Sequence, residues 1–171
     1  MHATLTRHPD YPCDPVRRIE AEIVRDGTDV RLTYVVTGDI AGLALPGVTA
    51  PNRADELWKH TCFEVFVHGA GNEYVEFNFA PSTQWQAYGF RAHRAGRWNL
   101  LVAAPTIEQD LRADRYEMRV KLPWAGGGPM AISTIIEEQS GRLSYWAVQH
   151  APDKPDFHHA HGYVLELPGA A

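Results

Sequence analysis

Glu64, Glu76 and Asn78 are the residues whose types and spacing could do chemistry. They fall in two runs of alternating polarity, and successive side chains of a strand point to opposite faces. If Phe63, Val65, Val67 and Val75, Phe77, Phe79 enter a core, the two carboxyls and the amide share the other face. Trp58 and His60 enter just before the first run. Trp85 and Tyr88 follow on the next one, on opposite faces of it. A flat ring beside carboxyls and an amide suits a sugar, because the ring stacks on C–H faces while the polar groups bind hydroxyls. The competing reading is a solvated sheet face above a core tryptophan. Two glutamates on neighbouring strands weigh against it, since they repel unless something lies between them. The pair would also suit glycoside hydrolysis. Nothing in the sequence marks either carboxyl as buried and raised in pKa, so binding ranks above catalysis.

A second informative stretch runs from Tyr145 to His161, where His150, His158, His159 and His161 crowd before the chain end. Such a tract can hold a transition metal or supply an axial haem ligand. The spacing fits no standard zinc pattern, and Pro152 and Pro155 oppose a helix that would align the rings. Histidines bonded to loop backbone are the competing reading, and a calcium site using Asp153 and Asp156 is no stronger. The chain has no G-x-S-x-G elbow, Walker loop or dinucleotide fingerprint. Gly126, Gly127 and Gly128 precede a strand rather than a helix N-terminus that could hold phosphate. No cofactor is specified, and the metal question stays open.

The elements that must position these residues are strands. Period-two patterns cover 17–24, 30–36, 62–68, 74–80, 84–90, 115–122, 130–137, 143–149 and 163–167, with a shorter run at 100–104. Asp26-Gly27 marks a hairpin between the first two. Residues 43–53 read as a loop. Only 54–60, as one turn, and 107–112 could be helical. The 171 residues suffice for a single domain, with 1–15 an irregular lead-in. The fold class is therefore an all-β, two-sheet antiparallel β-sandwich with one or two short helical turns.

A net charge of −5 leaves no basic footprint for nucleic acid or an anionic membrane. No stretch approaches the roughly 20 apolar residues of a membrane span. Met1–Asp14 lacks the apolar core of a signal peptide, and Cys13 and Cys62 read as reduced thiols. The expectation is a cytoplasmic protein with a small-molecule partner, and a homodimer is compatible with the sequence.

The segments ELWKHTCFEVFV and YVEFNFAPSTQWQAYGF, with SYWAVQH and KPDFH later, resemble the bacterial DOMON-like proteins. These are similar to family-nine carbohydrate-binding modules and to the sugar- and haem-binding DOMON superfamily. The resemblance implies a sandwich with a ligand site on one concave sheet. It pairs a tryptophan before a strand with a glutamate six positions on, as Trp58 and Glu64 stand here. Polar residues of the next strand then contact the sugar, at the places of Glu76 and Asn78, where the family uses basic residues. A second stacking aromatic lies near the C-terminus, with Tyr145, Trp146 and Phe157 as candidates. Haem-binding relatives use axial Met or His, for which Met118, His60 and His158 are available. The expected function is non-catalytic binding of a carbohydrate or related polar ligand by Trp58, His60, Glu64, Glu76, Asn78, Trp85, Tyr145 and His158. A haem- or metal-binding domain is the alternative, and a glutamate-based hydrolase ranks third.

Overall fold

The alternation of β-branched and aromatic residues with polar ones forms twelve strands in the computed structural model, which describes residues 1–170. In chain order they are β1 (His2–Arg7), β2 (Val16–Asp26), β3 (Asp29–Gly38), β4 (Cys62–His68), β5 (Tyr74–Phe79) and β6 (Trp85–Phe90). Then follow β7 (Trp98–Asn99), β8 (Thr106–Leu111), β9 (Arg115–Pro123), β10 (Gly128–Glu137), β11 (Leu143–Ala147) and β12 (Leu165–Leu167). Every pairing is antiparallel, in the order β7-β6-β5-β4-β10-β11-β1-β2-β3-β9-β8, with β12 beside β10. Gly27 takes φ 59°, the left-handed value that the tight β2–β3 turn requires.

The path folds over at β1. Its first residues pair with β2, Leu5 opposite Ile19, and its last two pair with β11, Arg7 opposite Trp146. The two halves face each other across one apolar core. Phe63 of β4 meets Tyr34 of β3 and Tyr116 of β9, with ring centroids 5.0 and 5.9 Å away. The Tyr34 hydroxyl donates to the backbone carbonyl of Glu64 at 3.2 Å, so the core ties directly to the strand that carries the first glutamate. This is the all-β sandwich-like architecture that the periodicity predicts.

Three local expectations need correction. Residues 1–15 are not irregular throughout, because His2–Arg7 is a strand. Only Ala3 and Leu5 alternate there, too few to register as a pattern, and the backbone ladders to β2 and β11 hold the segment. The stretch 107–112 is an edge strand, not a helix: Ile107, Gln109 and Leu111 lie opposite Val120, Met118 and Tyr116. The short strand falls at Trp98–Asn99 instead of 100–104, where Leu101 is 96% exposed and has no strand to pair with. Among the described residues, helical structure consists of three single 3₁₀ turns, Ile40–Gly42, Leu57–Lys59 and Ala160–Gly162. None of the described helical segments is long and apolar enough to cross a membrane.

The sheet formed by β4, β5, β6 and β10 is covered on both faces. β4 and β6 are buried along almost their whole length. The second face carries its own aromatic cluster of Phe66, Tyr74, Tyr88 and Phe90, against which Trp58, Phe157 and Tyr163 pack. Near this edge the Trp98 indole lies against Gly89, where an added Cβ would fall 2.1 Å from Cζ2. Gly89→Ala is therefore expected to expel the indole, fray β7 and cost about 1–3 kcal/mol. A lower urea midpoint at unchanged slope would register it.

Candidate functional site

Strand register builds the floor of the site. Glu64 lies opposite Asn78, and Glu76 lies opposite Phe66 and Tyr88. All five side chains therefore share the face turned away from the main core, with Glu64 and Glu76 on adjacent strands. The Asn78 amide nitrogen donates to Glu76 Oε1 at 2.6 Å, and the Ser133 hydroxyl donates to Glu64 Oε2 at 3.3 Å. Asn78 is fully buried and acts as a support for Glu76 beneath the cavity surface.

Above this floor is a cavity of about 380 Å³. Trp58, from the 3₁₀ turn before β4, and Tyr88 of β6 form one corner, 6.0 Å apart and inclined by 68°. Tyr145 of β11 and Phe157 form another, 6.0 Å apart at 60°. Phe90, Ile135 and Pro155 complete the apolar lining, and His158 joins from the loop before the final turn. Arg94 and Arg97, between β6 and β7, stand at the rim. Two non-glycine residues in the left-handed region, Glu56 (φ 62°) and Arg94 (φ 53°), shape the loops that bring Trp58 and the arginines to the cavity. Such conformations cost about 1–3 kcal/mol each and concentrate at ligand sites.

Burial dominates the electrostatics. It pushes the Glu64 carboxyl well above the usual range, and the neighbouring Glu76 adds to the effect. Burial raises Glu76 to about 7, against the opposing influence of Asn78, Arg94 and Arg97. Burial also lowers His158 to about 3, with Arg94 assisting, so its imidazole is neutral across the physiological range. The Tyr74 hydroxyl accepts from the Arg94 backbone N–H at 3.0 Å and has its proton free for His158 Nδ1 at 2.8 Å. His158 Nε2 lies 3.8 Å from Glu76 Oε2.

The rim is held by Asp156. It accepts from Arg94 Nε and Nη2 at 3.0 and 2.8 Å, and lies 2.8 Å from His93 Nε2. Burial works against its charge, yet the hydrogen bonds from Arg94 and His93 hold its pKa below the ordinary value. The Arg97 guanidinium lies 4.8 Å from the centre of the Tyr88 ring. The Tyr88 hydroxyl donates to Asp55 at 2.6 Å.

Of the residues singled out from sequence, Trp58, Glu64, Glu76, Tyr145 and His158 line one cavity, and Asn78 braces it. Two do not belong. Trp85 lies opposite Phe79 and is therefore turned into the core, with its indole N–H on the Pro51 carbonyl at 3.3 Å and Arg53 4.3 Å over its ring. His60 follows the end of the Leu57–Lys59 turn and points the other way, to Glu137 at 2.7 Å. It lines a separate groove. Trp146 is also a core residue, which leaves Tyr145 and Phe157 as the C-terminal aromatics of the site. Met118 is buried between the sheets, and His150 bonds the Thr6 carbonyl at 2.8 Å, so the proposed haem ligands do not converge. Among the described residues no three His, Cys, Asp or Glu side chains group as a metal site. Phe90, Ile135, Arg94 and Arg97 join the lining beyond the residues that the sequence singles out. Strand parity places the first two on the correct face; the arginines sit in a loop and carry no such signal.

No family model and no curated protein matches the chain. Among solved structures it is similar to a "putative carbohydrate-binding protein from Bacteroides uniformis ATCC 8492". The TM-score is 0.69 at 17% identity, over 95% of this chain and 84% of that one. At this identity the likeness establishes a shared all-β fold.

Proposed function

We propose that the chain is a non-catalytic binding domain for a small hydroxyl-rich ligand, a monosaccharide or short oligosaccharide, of the DOMON-like type related to family-nine carbohydrate-binding modules. The cavity carries this reading. Its volume of about 380 Å³ falls at the small end of ligand pockets. Aromatic walls at steep mutual angles offer a face to the C–H surface of a pyranose ring. The floor presents carboxyl and imidazole groups that can donate and accept. The carbohydrate-binding description of the structural neighbour supports the same reading.

Isothermal titration against a panel of mono- and disaccharides tests it. Trp58→Ala removes one stacking wall and is expected to weaken binding about 10- to 100-fold, the equivalent of about 1.5–3 kcal/mol. No heat with any sugar of the panel would retire the proposal.

One observation favours a second reading. Glu64 and Glu76 are both buried with raised pKa values, as a general acid of a hydrolase requires. Release of nitrophenol from chromogenic glycosides, lost in Glu76→Gln, would establish that activity.

A further inference from the structure

Resting on the sugar-binding reading, we infer that the ligand carries a protonated amine, as an amino sugar does, and that this ammonium group sits between the Glu64 and Glu76 carboxyls. Both side chains line the cavity, yet they are only 3% and 4% exposed. Glu64 receives the Ser133 hydroxyl, with the Cys62 thiol close by; Glu76 receives the Asn78 amide. Among the described residues no lysine or arginine forms an ion pair with either. The remaining groups that face the pair are the Tyr74, Tyr88, Tyr145 and Tyr163 phenols and His158, which supply no positive charge. The two arginines of the cavity act on the pair only from a distance, since Arg94 is bonded to Asp156 and exposed Arg97 stands over the Tyr88 ring.

Two buried carboxyls on adjacent strands with no cation in contact are an expensive arrangement, and apolar replacements are commonly as stable or more so. A neutral hydroxyl satisfies their hydrogen-bonding capacity and leaves their charge uncompensated. An ammonium group does both, through charge-assisted N–H···O bonds about twice as strong as neutral ones. The aromatic walls add to this, because ring faces attract cations in desolvated sites. An anionic ligand would meet the floor with like charge.

Binding an ammonium group stabilises the ionised carboxyls, so protons leave the pair on association. Amine affinity should therefore rise with pH through the titration of the pair, up to the amine's own pKa. Calorimetry on the full chain with three matched pairs tests this: glucosamine and glucose, galactosamine and galactose, mannosamine and mannose. At least one amine is expected to bind about tenfold more tightly than its neutral parent. The ratio should grow from about pH 5 to about pH 7, with heats that depend on the buffer's ionisation enthalpy. Glu76→Gln should bring that ratio close to one. Equal or weaker binding of the amines, with the neutral sugars still bound, overturns the inference and leaves the sugar-binding reading standing. Silence from all six compounds and the wider panel overturns both.

Discussion

Glu76→Gln is expected to stabilise the free protein by on the order of 3 kcal/mol at pH 8, raising its thermal midpoint by about 6–12 °C. A glutamate whose folded pKa lies above its unfolded one binds its proton more tightly in the folded state. Its contribution to stability is then greatest below about pH 4.5 and is lost as pH rises toward about 7, where the buried group must ionise. Glutamine keeps the acceptor for Asn78 and removes the charge. Near pH 4 both side chains are neutral and the two proteins should melt together. Differential scanning calorimetry at the two pH values reads this directly. A gap that does not change with pH would mean that the carboxyl is ionised and compensated in the fold. Because the same substitution is expected to abolish amine selectivity, it would separate stability from recognition at one position.

Phe63→Ala is expected to cost about 3–5 kcal/mol. Phe63 is fully buried, and its ring links the halves of the sandwich through Tyr34 and Tyr116. Truncation leaves a void between two tyrosines that their own sheets hold in place, so little collapse is available to fill it. Chemical denaturation should show a much lower midpoint. Phe63 also precedes Glu64, so disorder in β4 would loosen the cavity floor and weaken ligand binding in parallel.

Strand parity made the heart of the site legible. The alternation in 62–68 and 74–80 placed Glu64, Glu76 and Asn78 together, and the paired register bears this out. The same rule, carried one strand further, puts Trp85 with Phe79 in the core and Tyr88 with Glu76 in the site. Residue type alone points Trp85 to the site, while its parity points inward. Burial was harder to read. A polar side chain on an outer sheet face is normally solvated, and the Trp58 turn, the distant segment at 155–158 and the 91–97 loop turn this face into a cavity. Arg94 and Arg97 depend on loop conformation, for which periodicity carries no information. The strand at 106–111 was obscured because edge strands expose polar residues with little hydrophobic contrast.

β1 forms a seam between the two halves. Among the described residues, no other strand is hydrogen-bonded to both halves. Peeling it away would bare the edges of β2 and β11 at once and offer two templates for association with other chains. The seam also adjoins the cavity wall, for His8 donates to the Tyr145 carbonyl at 2.8 Å just beyond the end of β1. A fusion or deletion that strains these first eight residues would therefore announce itself twice, as clumping and as slackened grip on the ligand.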